Sequence, residues 1–336
     1  MQRNLLIGLI AMLLLSACGP RQIEPRFVNI RGIVFGTYYS ISYYDQDGTI
    51  YQAEIDSILE DFNQSLSYYQ PHSVISRINR NETDMVDEYF REVFLRSQEI
   101  SEATDGAFDA TVSPLVNAWG FGFQERATIT RAKIDSILQF VGYEKVSIEG
   151  YRIIKEDDRI QFDFNAIAKG YASDVVGAFL ETQGVEIYMV EIGGDLITKG
   201  VKPDDSKWRI GLEKPAEHYD DPQDWEFYVE MHNRAVASSG SYRRYYEEGG
   251  QRYSHTIDPS TGYPVDHNLL SVSVFAPDAM TADGYATAFM VMGFEMAREF
   301  VEGKPSLDAY FIFSEGPDEY GTYATPGLTL LSRQDL

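Results

Sequence analysis

Cysteine is almost absent from this 336-residue chain; Cys18 is the only one, so no disulfide can form within it. Histidine is scarce as well, at five, which narrows the choice of a proton carrier near neutral pH. Basic residues are outnumbered, with 28 Lys and Arg against 52 Asp and Glu and a formal charge of −24. That balance argues against nucleic acid or an anionic membrane face as a partner. Neither a GxxxxGK[ST] phosphate loop nor a GxGxxG dinucleotide fingerprint occurs. Internal repeats and low-complexity blocks are missing too.

What is present describes a globular protein. Hydrophobic residues make up 44% and aromatics 13%, and about 310 residues beyond the amino-terminal segment suffice for one large or two intimately packed domains. Arg3 precedes an apolar run over 5–15, broken by Gly8 and ending in Leu15-Ser16-Ala17-Cys18. The run is too short to span a bilayer and reads as a secretory signal. Its ending resembles a bacterial lipoprotein signal. That resemblance implies cleavage after residue 17, a lipidated Cys18, a tether over 18–26 and a mature domain over 27–336.

Strands and helices alternate without a regular βαβ rhythm, so the expected class is α+β, with mixed sheets and packed helices. Residues 33–44 read as a strand. Residues 52–66 read as a helix with Ile55, Leu59, Phe62 and Leu66 on one face, and 88–102 as another. Thr130 reads as the cap of a short helix reaching 141. A brief strand over 160–165 runs into a helix over 166–182, and a long helix covers 280–301. Further strands are expected over 185–192, 208–212, 227–232, 271–275 and 310–314. Residues 220–224 read as an insertion loop.

Five places can carry chemistry. His255 stands between a Gly/Ser turn at 237–240 and the Asp258-Pro259-Ser260-Thr261-Gly262 turn, a setting suited to proton transfer. Lys169 lies in the first turn of the 166–182 helix, where a cation and free amides suit an anion; an ordinary exposed lysine reads equally well. Asp283 and Thr287, four apart, share one helix face and could hold Mg²⁺, or Asp283 or Thr281 could simply cap the helix. The segment from Ala107-Phe108-Asp109 to Trp119-Gly120-Phe121-Gly122 offers aromatic faces to a planar ring, or to the core. Gly193-Gly194-Asp195 ends a strand in a turn that a ligand or nothing could approach.

Together these segments, with Phe35-Gly36-Thr37 and Ser67-Tyr68-Tyr69-Gln70-Pro71-His72-Ser73, resemble the ApbE family of flavin transferases, in family order across nearly the whole mature chain. The resemblance implies an ApbE-like two-lobed architecture. It also implies transfer of FMN from FAD to a threonine or serine hydroxyl of an acceptor flavoprotein, with release of AMP. By position, Asp283, Thr287 and the Ala166 carbonyl would be Mg²⁺ ligands. Phe35, Tyr69, Ala107, Phe108, Asp109, Asp163, Lys169, Thr256 and Ile257 would contact FAD, and His255 would be the general base. A lipid-anchored protein on the periplasmic side of a bacterial membrane is implied too. The chain departs from the family pattern at Asn165, where glycine is usual, and at Phe35, where methionine is common. An Mg²⁺-dependent FAD pyrophosphatase and a non-catalytic flavin-binding lipoprotein are the alternatives.

Overall fold

The computed structural model describes residues 26–122, 129–214, 224–241, 245–248, 251–316 and 319–335, with backbone alone at 245–248 and 251–253. The signal over 1–17 and Cys18 lie outside the described residues, as does most of the tether and of the 220–224 loop. Arg26, expected to end the tether, already opens the first strand. In chain order the elements are β1 (Arg26–Val34), β2 (Thr37–Asp45), α1 (Gln52–Leu66), α2 (Val74–Asn79), α3 (Glu88–Ala103), α4 (Ser113–Ala118) and α5 (Arg131–Ile137). Then come β3 (Val146–Glu149), β4 (Arg152–Lys155), α6 (Ala168–Thr182), β5 (Tyr188–Ile192), β6 (Asp195–Lys199), β7 (Trp208–Glu213), β8 (Trp225–Met231), β9 (Arg234–Gly240), β10 (Tyr245–Glu248) and β11 (Gln251–Ser254). The chain closes with β12 (Leu269–Ala276), α7 (Ala279–Met292), α8 (Phe294–Glu302), β13 (Asp308–Gly316), β14 (Glu319–Ala324) and β15 (Leu330–Leu331).

The class is α+β. Its centre is an eight-stranded sheet in the order β1-β2-β5-β6-β9-β12-β13-β14. Every ladder between these strands is antiparallel, so the sheet is not mixed. Alternation along each strand divides the side chains between two cores. On β12 and β13, Val272, Val274, Ala309 and Phe311 join the helices in the main core. Phe275, Tyr310 and Ile312 face the other way, onto β7 and β8 of a three-stranded sheet. A third, small core gathers Leu115, Trp119, Ile134 and Ile137 around Ile257.

α1 and α3 match their expected ranges because their apolar faces repeat at helical spacing over the central sheet. Asp87 caps α3 through the Phe90 amide at 2.9 Å. Thr130 caps α5 through the Lys133 amide at 3.2 Å, but the α-helix ends at Ile137 and tightens into a 3₁₀ turn over Leu138–Phe140.

Four expectations are corrected. The 33–44 strand is a hairpin: Phe35 and Gly36 both take positive φ (52° and 74°), giving the two-residue turn that suits the twist of β1 and β2. The 280–301 helix breaks at Gly293, whose φ of 77° ends α7 and lets α8 start at a new angle. Residues 237–240 are no turn; they belong to β9 and pair with β12. Residues 160–165 form no ladder beyond one bridge from Gln161 to Val112. Their backbone is bound by other groups: Asn79 exchanges two hydrogen bonds with Phe162 (2.8 and 2.7 Å), and the Asp163 amide donates to the Ala110 carbonyl at 2.8 Å. Among the described residues no helix is long and apolar enough to cross a membrane.

Candidate functional site

α6 begins at Ala168, after a turn over 165–167, which leaves Lys169 as its second residue. The Lys169 ammonium donates to the Asp195 carboxylate, and Asp283 Oδ2 lies 3.8 Å away. Asp195 opens β6 directly after the Gly193-Gly194 turn. A Cβ on Gly193 would sit 2.9 Å from Thr37 Cγ2 and 3.2 Å from Lys169 Cδ, so only glycine lets the β1–β2 hairpin, the β5–β6 turn and α6 meet here.

Asp283 does not cap its helix. Asp278 caps α7, accepting from the Thr281 amide at 2.8 Å, and Asp283 lies a full turn inside. Its Oδ2 accepts the Gly170 amide at 3.1 Å instead. In an uninterrupted helix that amide would turn back to the carbonyl four residues earlier, at Ala166. Here no donor among the described residues reaches the Ala166 carbonyl. Thr287 lies one turn beyond Asp283 on the same helix and is half-buried.

Fully ionised, two carboxylates and one ammonium make a cluster of net charge −1. Asp195 is 2% and Asp283 4% exposed, so little water screens them. Burial, then the charge of Asp283, pushes the Asp195 carboxyl up, against the pull of Lys169. Burial alone would push Lys169 down, but Asp195 and then Asp283 outweigh it and hold the ammonium above the usual lysine range. Both groups therefore grip their protons, as a site short of one positive charge should. Lys169 is neither an idle surface lysine nor an unneutralised cation for phosphate. The cluster favours a cation.

The expected ring contacts divide between packing and exposure. Phe35 is partly buried, its ring 5.6 Å from Phe62. Tyr69 is 61% exposed and stacks on Tyr68 at 4.6 Å. The Tyr68 hydroxyl accepts from Asn165 at 2.5 Å. Burial, then the charge of Asp163, raises the Tyr68 pKa. Phe108 is buried in the main core, so its ring serves packing, and only its backbone and that of the half-buried Ala107 remain for a ligand. Asp109 holds its own loop: it accepts from the Thr111 amide and hydroxyl, both 2.7 Å, and from the Tyr143 amide at 2.9 Å. Asp163 accepts from the Asn165 amide at 2.8 Å. Burial pushes Asp109 and Asp163 each up to about 6.

His255 follows β11 and is half-buried, its ring edge-on to Phe121 at 6.4 Å. The loop after it is tied down locally. Asp258 accepts from Ser260 and Thr261, and Ile257 pairs with Pro264 and buries its side chain in the third core. The Val265 amide donates to the Thr256 carbonyl at 3.0 Å. Trp119 Nε1 donates to the Gly262 carbonyl at 2.8 Å. Residues 107–122 thus link both neighbourhoods, through Ala110 to Asp163 and through Trp119 and Phe121 to the His255 loop.

Sequence reasoning singled out Asp195 only within a Gly-Gly turn and gave it no role; the structure makes it the direct partner of Lys169. A carboxylate opening a strand immediately after two glycines was the available signal. A cavity of about 340 Å³ lined by Val229, Met231, Arg234, Phe275 and Leu328 shares no residue with the cluster. Among the described residues no three His, Cys, Asp or Glu side chains converge to hold a metal. One carboxylate, one hydroxyl and one backbone carbonyl would be a different kind of site.

Known proteins resemble this chain over most of their length. Residues 35–311 match the ApbE family. The chain is 39% identical to an FAD:protein FMN transferase of Vibrio cholerae, over 89% of this chain and 91% of the relative. It is 35% identical to one of Haemophilus influenzae, over 92% and 93%. The solved flavin transferase ApbE from Vibrio cholerae superposes with a TM-score of 0.80 at 37% identity, covering 90% of this chain and 98% of that one. The apo flavinyl transferase ApbE of Pseudomonas stutzeri gives 0.81 at 34%, covering 90% and 96%. Sequence and fold agree over the same span, and the chain is an enzyme of the ApbE family.

Proposed function

We propose that this enzyme transfers FMN from FAD to a threonine or serine hydroxyl of an acceptor flavoprotein and releases AMP. The observation that carries the reading is the Lys169–Asp195–Asp283 cluster, short of one positive charge when fully ionised, together with an Ala166 carbonyl that no donor among the described residues reaches. Asp283, Thr287 and the Ala166 carbonyl are all-oxygen ligands of the kind Mg²⁺ prefers. When bound, Mg²⁺ offsets charge on the FAD pyrophosphate. Lys169 and Asp195 hold Asp283 in place.

FAD lies along Phe35, Tyr69, the backbone of Ala107 and Phe108, Asp109, Asp163, Lys169, Thr256 and Ile257. His255 takes the proton from the acceptor hydroxyl. The hydroxyl oxygen bonds to the phosphorus of the FMN half, and the bridging oxygen leaves with AMP. Positioning and charge neutralisation carry most of such a phosphoryl transfer.

The test is intact-mass spectrometry of an acceptor domain with an exposed threonine, incubated with enzyme, FAD and Mg²⁺. An FMN-sized gain is expected, abolished by EDTA and reduced about 10²-fold or more in rate by His255→Ala while FAD still binds. FMN and AMP without an adduct on any Thr- or Ser-bearing acceptor would make the enzyme a pyrophosphatase. Full transfer by His255→Ala would remove histidine from the base role.

We also propose that the chain is lipid-anchored through Cys18 on the periplasmic side of a bacterial membrane, as the sequence ending at Cys18 suggests. Two acyl signals give stable membrane attachment. Cys18→Ala should move the protein from the membrane to the soluble fraction; equal membrane retention of the variant would refute the anchor.

A further inference from the structure

The amino end of α7 is held by two carboxylates. Asp278 is the local cap, bonding the Thr281 amide at 2.8 Å, while its carbonyl accepts from Ala282 at 3.2 Å. The amides of Ala279 and Met280 go elsewhere. They donate to Oδ1 and Oδ2 of Asp174, each at 2.8 Å. Asp174 belongs to α6, one turn beyond Gly170 and on the same face.

A single cap residue satisfies the usual need of a helix start. The second carboxylate ties one helix to the other. Gly170 adds to this join: a Cβ there would lie 2.1 Å from the Ala279 carbonyl oxygen, so the helices touch backbone to backbone. The two proposed cation ligands lie on either side of this join. Ala166 is one turn before Gly170 on the α6 side, and Asp283 is one turn past Ala279 on the α7 side. Burial, and to a smaller extent the charge of Asp278, pushes the Asp174 carboxyl up to about 7 despite the two amides.

We propose that Asp174 is a positioning residue: its two-oxygen grip on Ala279 and Met280 sets the spacing between the Ala166 carbonyl and the Asp283 carboxylate, and so the affinity for the divalent cation. This rests on the metal site proposed above. Outer partners that orient metal ligands commonly change metal affinity by about 10–100-fold when removed.

The experiment titrates MgCl₂ into the purified full chain with FAD, reading flavin fluorescence and, separately, the rise in Tm that Mg²⁺ produces. Asp174→Asn keeps the shape but replaces one acceptor by a donor that faces an amide. It should raise the half-saturating Mg²⁺ concentration about 10-fold. Asp278→Ala loosens the same helix start without touching the join between helices. It should lower Tm yet leave half-saturation within about 2-fold, as expected for lost capping alone. Equal shifts in the two variants, or an unchanged half-saturation in Asp174→Asn, overturn the proposal. If Asp174→Asn does not fold, Asp174→Glu decides by the same readings, since it keeps both acceptors but moves them. Mg²⁺ that changes neither signal in the unmodified chain overturns the metal reading itself, which separates the two failures.

Discussion

Asp283→Ala is expected to lower the initial rate of FMN transfer by at least about 10²-fold, because it removes the one charged ligand that the proposed cation site has. The buried Gly170 amide also loses its acceptor, at a cost of about 1–3 kcal/mol. Relaxation of α6 offers that amide a new partner, the Ala166 carbonyl, which closes the normal helical bond. The variant would then present neither carboxylate nor carbonyl to a cation, and excess Mg²⁺ should restore little. Lys169 keeps Asp195, so the ammonium is not left unpaired. Rate of AMP release at saturating FAD, with Tm as the control for folding, is the measurement. A variant that folds and transfers at the unmodified rate would remove Asp283 from the site.

Stability should rise as the pH falls from 8 to 5, the reverse of the usual acid trend. Burial pushes Asp109 and Asp163 up to about 6 and Asp174 up to about 7, from 3.8. Each folded-state carboxyl therefore binds its proton more tightly than the unfolded chain does. Between about pH 7 and 4 the native state holds more protons, so the slope of stability against pH is negative there. Protonation through the folded pKa stabilises, and the gain is complete only below the unfolded pKa. Asp163 and Asp174 keep partial solvent contact, so the full shifts overstate the effect. A gain on the order of 3 kcal/mol between pH 8 and 5 is a reasonable expectation. The formal charge of −24 acts in the same direction as carboxylates protonate. Tm measured across this range in metal-free buffer tests it; a maximum at pH 8 would show that these carboxyls titrate normally.

The elements that were legible share a property: their signals are local. α1 and α3 show an apolar face every three or four residues, and Thr130 stands one residue before the helix it caps. The hairpin at Phe35-Gly36 was hidden because one glycine inside a β-prone run reads as well as a bulge, and nothing local announces that a phenylalanine takes positive φ. β9 was mistaken for a turn because Ala237-Ser238-Ser239-Gly240 has small polar residues. Its neighbours β6 and β12 supply the pairing that its composition does not advertise. Phe108 read either as a ring platform or as core, and it is core, a distinction that depends on what packs above it.

Composition, turn chemistry and helical spacing, all read within about ten residues of one another, determined the α+β class, the acidic character and which segments bear reactive side chains. The order of those segments was enough to indicate the family. The tertiary structure alone decided that Lys169 is paired with a carboxylate 26 residues away, and that Asp283 accepts an amide 113 residues away. Charge interactions depend on distance and burial in space, and neither is written into the spacing along the chain.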